Sequence, residues 1–294
     1  MKMDQVRCDI CNRDNYLPIG PVKENLMVAC QDCGHVYLLY RPAIKELQKI
    51  YNDEYFNDKY IRENVSTSYN YLDDKPNIVK FAQTRFDTIE KYIQPGKVLD
   101  IGCAMGFYLE HARSRGWEPY GLEVSEYAAR HAIDELKLNV QTGALEAAVY
   151  PDEEFAAVTM WLVLEHMIKP VEALKKVWGL LRPGGILGIK VPNIGGITFR
   201  LDRQKWLDQH AEDHFCDYKP GTLANLLVNT GFKVLEYMTE GIYYERALAG
   251  LGLSLPKVIE LDEEAKKWFV EFYQKLAGQI DLGDSLVMFA QKQE

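Results

Sequence analysis

The chain has 294 residues, of which 47% are hydrophobic and 26% charged, an ordinary balance for a globular protein that excludes wholesale disorder. This length indicates about two domains. The formal net charge of −9, from 34 basic and 43 acidic residues, disfavours nucleic acid as a partner.

The N-terminus and the apolar segments predict a cytoplasmic protein without a membrane anchor. The first residues, MKMDQVRCDIC, lack the apolar core of a signal peptide. The longest apolar run, residues 155–164, has about half the length that a membrane span needs.

Four of the six cysteines form two Cys-x2-Cys pairs, Cys8 with Cys11 and Cys30 with Cys33. Two turns of this kind can direct four thiolates at one ion, whereas disulfides are rare in a chain without a secretion signal. We therefore predict that residues 1–41 form a zinc ribbon with strands at 16–19, 26–29 and 36–40. Since thiolates fill all four positions, the zinc is expected to be structural.

Residues 42–76 are predicted to link this ribbon to the main domain, with a helix at 42–51. Aromatic side chains in the linker and near residue 243 can form a lid over an acceptor molecule, or can simply pack the ribbon onto the main domain. They are Tyr51, Tyr55, Phe56, Tyr60, Tyr243 and Tyr244.

From residue 77 to the end, the pattern predicts an α/β domain. A helix at 77–93 is followed by alternating strands and helices, which indicates a parallel sheet covered on both faces. A helical insertion is expected at about 243–280, and the last strand can pair antiparallel with its predecessor. The strands are predicted at 97–101, 118–123, 139–142, 156–161, 185–191, 232–238 and 285–291, and the helices at 106–115, 125–137, 170–181 and 220–229.

A glycine-rich turn follows the first of these strands, in the sequence VLDIGCAMG. Such a turn lets a ligand approach the backbone closely, as a dinucleotide or S-adenosylmethionine (SAM) would. The dinucleotide fingerprint needs glycine where this chain has Ala104 and Phe107. At the end of the second strand, Glu123 is suited to bind two ribose hydroxyls.

Four motifs in order, VLDIGCAMG, GLEVS, VLEHM and LRPGGILGIKVPN, resemble those of the class I SAM-dependent methyltransferases. The most similar group is the small-molecule methyltransferases related to the ubiquinone-biosynthesis enzyme, over about residues 77–238. The resemblance implies a Rossmann-like, seven-stranded methyltransferase sheet. A cysteine ribbon before such a domain is also similar to sugar C-methyltransferases, which carry a larger C-terminal domain.

The resemblance also implies which residues bind SAM. Glycine-turn residues would wrap the methionine moiety, Asp100 would organise the turn, and Glu123 would hold the ribose. Ala104, Ala144 and Ala156 depart from the family pattern, which weakens the detailed assignment. The implied cofactor-binding set is Asp100, Gly102, Cys103, Ala104, Gly106, Glu123, Val124, Ala144, Leu145 and Trp161. Trp161 has packing in the core as its alternative.

Histidine is the natural general base for a hydroxyl or acidic-carbon acceptor, because its pKa lies near neutrality. His166 follows the fourth strand, and His214 lies in a segment that resembles the family's acceptor border. Both are predicted to be catalytic, and the alternative is that Glu165 and His166 only shape the pocket. The remaining histidines, His35, His111, His131 and His210, are expected at the surface or in the ribbon. Cys103 and Cys216 are expected to be small packed or loop residues.

The leading functional prediction is a methyltransferase acting on a small molecule, such as a sugar or natural-product intermediate. An RNA or protein methyltransferase that docks its substrate through the ribbon is the first alternative. A non-catalytic SAM-binding module is the second, and a nicotinamide dehydrogenase is a distant one. The sequence leaves the acceptor and the oligomeric state open.

Overall fold

The computed structural model describes residues 3–42, 71–241, 275–276 and 278–293. These residues form three sheets, with helices packed on the largest of them. The two smaller sheets contain mainly N-terminal residues. The large sheet contains the strands predicted from residue 97 onward.

The N-terminal residues 3–42 fold into a small β-structure that we call the ribbon. The strand predicted at 36–40 is interrupted at Leu39, and the short first strand was not predicted. Within the ribbon, the second, third and fourth strands pair antiparallel in chain order, and the first pairs antiparallel with the fifth. The strands are β1 (Met3–Gln5), β2 (Tyr16–Val22), β3 (Asn25–Cys30), β4 (Val36–Leu38) and β5 (Tyr40–Pro42).

The large sheet has seven strands in the order β12-β13-β10-β9-β6-β7-β8. Neighbours from β8 to β10 run parallel, and β13 runs antiparallel to both β10 and β12, as the sequence predicted for the last strand. The strands are β6 (Lys97–Ile101), β7 (Glu118–Glu123), β8 (Asn139–Thr142), β9 (Phe155–Trp161), β10 (Leu181–Pro192), β12 (Phe232–Glu240) and β13 (Ser285–Lys292). The predicted α/β fold with a Rossmann-like sheet is confirmed.

Helices cover both faces of this sheet. One apolar cluster packs α4 and α7 against it through Leu174, Val177 and Leu227, and another packs α1 and α2 through Phe86 and Leu109. None of the described helices is both long and apolar enough to span a bilayer. The helices are α1 (Lys75–Ile89), α2 (Phe107–Ser114), α3 (Glu126–Asp134), α4 (Pro170–Leu180), α5 (Ile197–Leu201), α6 (Arg203–Asp208) and α7 (Pro220–Asn229).

The ribbon packs directly on the main domain. A two-residue strand, β11 (Cys216–Asp217), pairs antiparallel with β4 and so extends the ribbon sheet. Ribbon side chains including Met27 and Leu38 share an apolar cluster with Leu207 and Phe215 of the main domain. The contact therefore combines a backbone ladder with buried apolar area, which is the main favourable term in such packing.

Some sequence predictions lie outside the described residues. These are the helix at 42–51, the aromatic lid residues and most of the insertion at 243–280. The domain boundaries at 41/42 and 76/77 remain predictions, although α1 begins at Lys75, close to the expected start of the main domain.

Candidate functional site

The glycine turn joins β6 to α2 at the carboxyl edge of the large sheet. Gly102, Ala104 and Gly106 have φ angles of 74°, 47° and 88°, the left-handed region that favours glycine. The Gly102 amide donates to the Leu122 carbonyl at 2.7 Å, which fixes the turn against β7. A Cβ atom on Gly102 would lie 2.5 Å from Val163 Cγ2, so the turn has no room for a side chain there.

Glu123 ties this turn to the end of β7. Its Oε2 accepts a hydrogen bond from the Ala104 amide at 2.8 Å, and its Oε1 accepts one from the Ser125 amide at 2.9 Å. The side chain is buried, and burial raises the pKa of its carboxyl above the ordinary value. Each carboxylate oxygen keeps a further lone pair, so both can still accept bonds from a ligand.

Asp100 lies below the turn, at the end of β6. Its Oδ1 accepts a hydrogen bond from the Thr159 hydroxyl at 2.6 Å, which links β6 to β9. Burial, and to a lesser degree the nearby charge of Glu123, raise the pKa of Asp100 to about 8 against the opposing effect of the Thr159 bond. The structure therefore places Asp100 beneath the turn, where it supports the strands.

Cys103 contributes its backbone to the turn, while its thiol points into the protein. A Cβ atom on Gly121 would lie 2.6 Å from the Cys103 sulfur, so β7 is closely packed under the thiol. Burial raises the pKa of this thiol well above its ordinary value. The structure thus fits a small packed residue at this position and gives no support to a nucleophile.

Residues expected to border an adenine lie beside Glu123. Val124 is exposed, Ala144 is half-buried and Leu145 is buried at the start of a short 3-10 turn after β8. The Gly143 amide donates to the Glu123 carbonyl at 2.8 Å and brings the two loops together. The turn, Glu123 and these three residues thus line one continuous edge of the sheet.

Trp161 ends β9 and packs among aromatic side chains. Its ring lies edge-on to Phe81, with centroids 5.2 Å apart, and contacts Tyr108 and Phe289 at 5.5 and 6.3 Å. Its Nε1 has no hydrogen-bond partner among the described residues. These contacts correspond to the core-packing alternative for Trp161.

Three titratable side chains meet near the carboxyl end of β9, and we call them the histidine cluster. They are Glu165, His166 and His214. Each offers a ligand or proton-accepting atom within 4.8 Å of the other two. The rings of His166 and His214 are 4.6 Å apart and nearly perpendicular. The segment that carries His214 is bound to the turn that carries Glu165, because the Phe215 amide donates to the Glu165 carbonyl at 2.7 Å.

The Glu165 carboxyl is buried and has no hydrogen-bond partner among the described residues. Burial and, after it, the charges of Asp217 and Asp213 raise the pKa of Glu165 well above the ordinary value. A buried carboxyl beside two imidazoles can exchange a proton with them or hold a cation. The cluster therefore has the composition of an acid–base centre.

His210 is a functional candidate that the sequence prediction placed wrongly at the surface. It is buried, its Nε2 lies 3.1 Å from Asp217 Oδ2, and its ring is 5.6 Å from that of His214. Nothing in the local sequence indicates this, because the burial arises from tertiary packing, including the contact with Asp217 of β11. His210 and Asp217 thus form a second layer behind the histidine cluster.

The four ribbon cysteines converge as their spacing predicted. All six cysteines of the chain are free thiols, and the sulfurs of Cys8, Cys11, Cys30 and Cys33 lie within 4.8 Å of one another. Cys8 and Cys33 sulfurs are 3.4 Å apart, as are those of Cys11 and Cys30. Tetrahedral zinc with bonds of about 2.3 Å needs sulfur separations of about 3.8 Å, so the donor set fits this ion.

Known proteins resemble this chain in the region of the large sheet. The family model described as "Methyltransferase domain" matches residues 76–237, which is more than half of the chain. A probable S-adenosylmethionine-dependent methyltransferase of Mycolicibacterium smegmatis is 26% identical over 155 residues, which cover 52% of this chain and 58% of that protein. A ubiquinone biosynthesis O-methyltransferase of Dinoroseobacter shibae is 28% identical over 151 residues, which cover 48% and 61%. The chain thus spans little more than half the length of these relatives.

Two solved structures share the fold. A SAM dependent methyltransferase from Archaeoglobus fulgidus has a TM-score of 0.50 at 22% identity, with 76% of this chain and 99% of that chain covered. A SAM-dependent, possible histamine N-methyltransferase from Thermotoga maritima has a TM-score of 0.51 at 15% identity, with 82% and 100% covered. At these identities the likeness concerns the fold alone.

Proposed function

The chain belongs to the methyltransferase domain family of SAM-dependent enzymes, and from this premise we propose that it methylates a small molecule. One observation carries the proposal above all. The carboxylate of Glu123 is joined to the Ala104 amide of the glycine turn and to the Ser125 amide, at the sheet edge where ligands bind in this fold. A ribose beside this carboxylate places the rest of SAM against the turn.

In this proposal the turn holds SAM mainly through its backbone. Gly102, Cys103, Ala104 and Gly106 border the methionine moiety, and the left-handed φ angles of Gly102, Ala104 and Gly106 give the turn its shape. Val124, Ala144 and Leu145 provide the apolar edge for the adenine, and Asp100 supports the turn from below. Trp161 contributes to the wall through its aromatic packing.

Bound SAM supplies a methyl group that is already activated for in-line displacement. The protein's task is to orient the acceptor, and orientation alone can contribute about 7–11 kcal/mol toward lowering the barrier. We assign proton removal from the acceptor to the histidine cluster, with His214 or His166 as the base. Both imidazole rings are half-buried, close to the carboxyl end of β9.

Two observations support a small-molecule acceptor. One of the relatives named above is a ubiquinone biosynthesis O-methyltransferase, and the net charge of −9 is unfavourable for a nucleic-acid substrate. An RNA or protein substrate docked through the ribbon remains the competing proposal.

We also propose that the ribbon holds one structural zinc ion on Cys8, Cys11, Cys30 and Cys33. In a cytosolic protein such a cysteine pattern is usually a metal site, so the proposed zinc is consistent with a cytoplasmic location. With four thiolates on the metal, no position is open for substrate, and the ion stabilises the ribbon without acting in catalysis.

The test is transfer of a tritiated methyl group from SAM in a fractionated cell extract. We expect label in the low-molecular-weight fraction, and a fall of at least about 100-fold in its rate for His214→Asn. His111→Asn is the matched control, because His111 on α2 packs against Phe86 of α1 and its replacement should leave the rate unchanged. Label in the RNA or protein fraction would support the competing substrate, and SAM binding without transfer to any fraction would indicate a non-catalytic module.

A further inference from the structure

A buried ion pair inside the ribbon lies next to the main domain. Asp9 lies between the thiolates Cys8 and Cys11, and its carboxylate meets the guanidinium of Arg41 in a two-pronged contact. Arg41 Nη1 is 3.0 Å from Asp9 Oδ1, and Nη2 is 2.5 Å from Oδ2. The Arg41 side chain is only 1% exposed. The desolvation cost of a charge buried to this extent is offset only where its ion-pair and hydrogen-bond partners have good geometry.

The same guanidinium contacts both segments of the histidine cluster. Arg41 Nη1 donates to the Ile168 carbonyl at 2.6 Å, two residues after His166. Arg41 Nη2 donates to the Phe215 carbonyl at 3.4 Å, one residue after His214. One planar group therefore spans the two loops that carry the proposed bases, which suits the fixed fork of arginine donors.

Backbone bonds reinforce this connection. The Leu38 amide of β4 donates to the Phe215 carbonyl at 3.0 Å, and Cys216 pairs with Tyr37 in the β11–β4 ladder. The ribbon thus supplies hydrogen bonds directly beside His214, while the SAM edge at Glu123 and the glycine turn makes its bonds within the main domain.

We propose that Arg41 is a positioning residue for the histidine cluster, and that it transmits the metal-bound fold of the ribbon to the loops of His166 and His214. Metal in the four-cysteine site holds Asp9 in place, Asp9 orients Arg41, and Arg41 fixes the two loop carbonyls. Loss of the metal then displaces the loops of His166 and His214 and leaves Glu123 and the glycine turn in place. That this displacement affects catalysis rests on the proposed function. The displacement itself does not depend on it.

The experiment is NMR of the full-length protein with its histidine rings labelled at Cε1, which gives one signal for each of the six histidines. Arg41→Lys keeps the positive charge. The compact ammonium of lysine, however, cannot bind two carbonyls and a carboxylate at once, as the planar guanidinium does. We expect the His166 and His214 signals to shift by more than their linewidths, with the His111 and His131 signals, the metal content and the affinity for S-adenosylhomocysteine unchanged. A chelator should shift the His166 and His214 signals together with that of His35 in the ribbon and leave those of His111 and His131 unchanged, and added zinc should reverse the shifts. Arg13→Lys, at an exposed ribbon arginine, is the matched control.

Unchanged His166 and His214 signals in metal-loaded Arg41→Lys would overturn the proposal. Shifts at all histidines alike would also overturn it, because they would indicate only a general structural role. If Arg41→Lys does not fold, Asp9→Asn removes the charge that orients Arg41 and takes its place, judged by the same signals in metal-loaded protein. Wild-type protein that fails to bind S-adenosylhomocysteine would refute the proposed function and leave the coupling result standing.

Discussion

At the scale of single residues, Glu123 joins two parts of the chain that a ligand must contact together. Its two oxygens accept amide bonds from Ala104 and Ser125, at 2.8 and 2.9 Å, so the carboxylate is held in one orientation before any ligand arrives. A preorganised acceptor loses little freedom when a ribose hydroxyl binds to it.

We predict that Glu123→Gln weakens binding of S-adenosylhomocysteine by about 10-fold to 100-fold. A hydrogen bond to a charged group contributes about 1.5–3 kcal/mol, and the amide replaces one of the two acceptor oxygens with a donor. Isothermal titration calorimetry measures the change. Glu126→Gln is the control, because that exposed glutamate pairs only with the neighbouring Arg130 in the structure described. Equal affinities for wild type and Glu123→Gln would refute the assigned ribose contact.

A second residue-scale prediction concerns Asp100 and pH. Its folded pKa of about 8 lies above the ordinary value of 3.8, so the folded state keeps a proton that the unfolded chain releases. The stability from this proton is fully present below about pH 4 and is lost as the pH rises to about 8, by at most about 1.4 kcal/mol per pH unit. Asp100→Asn should remove this slope.

Urea unfolding of the SAM-free protein at several pH values provides the measurement. We expect the free energy of unfolding of Asp100→Asn, relative to wild type, to increase steadily between pH 4 and 8, because the amide has no proton to lose. Parallel curves for the two proteins would show that Asp100 does not carry the raised pKa.

At the scale of elements, the strands of the large sheet could be predicted closely from sequence. β6, β7 and β8 begin and end at the expected residues, because the regular alternation of strands and helices with turn residues between them defines their limits. β1 and β11 were not predicted, since strands of two or three residues have no periodicity of their own. They exist because a partner strand lies beside them.

The start of α2 gives a prediction at this scale. Gly106 has a φ of 88°, and a Cβ atom there would lie 2.7 Å from Leu138 Cδ1 and 2.9 Å from Ala132 Cβ. Gly116 has nearly the same φ, 87°, with no atom within 4 Å of its Cβ position. Gly116→Ala should therefore cost only the left-handed conformation, about 1–2 kcal/mol, whereas Gly106→Ala should cost about 1–3 kcal/mol more through overpacking.

Chemical denaturation of both variants distinguishes these costs. The difference between them isolates the packing contribution, because the backbone penalty is common to both. If Gly106→Ala were no less stable than Gly116→Ala, α3 and the following loop would not pack against the turn as described.

At the scale of the whole molecule, the site divides into parts that sequence could predict and parts that it could not. The glycine turn, Glu123 and the cysteine pairs are local patterns whose spacing carries their chemistry. The contacts of Arg41 with the Ile168 and Phe215 carbonyls join residues distant in sequence and arise only when the ribbon packs on the main domain. The burial of His210 is likewise a result of tertiary packing. Trp161 shows the same limit, because a strand-end position does not determine which way a large ring packs.

The ribbon gives a prediction for the molecule as a whole. Wild-type protein should contain one zinc ion per chain by elemental mass spectrometry, and Cys11→Ser should lose it. Cys103→Ala should keep the metal, because Cys103 lies in the glycine turn. Because we propose that the ribbon depends on its metal for folding, we expect the loss also to expose the apolar face around Leu207 and Phe215 and to increase binding of a hydrophobic dye. Metal retained in Cys11→Ser at the wild-type level would contradict the four-thiolate site.

The central claim is that the carboxyl edge of the large sheet holds an adenosyl sulfonium, and calorimetric titration of the purified protein tests it most directly. We predict that SAM and S-adenosylhomocysteine each bind at one site per chain, with a dissociation constant in the range of about 1 µM to 1 mM that is usual for enzyme substrates. NADH should release no heat of binding. Titrations in which SAM and its product both fail to bind would contradict the account.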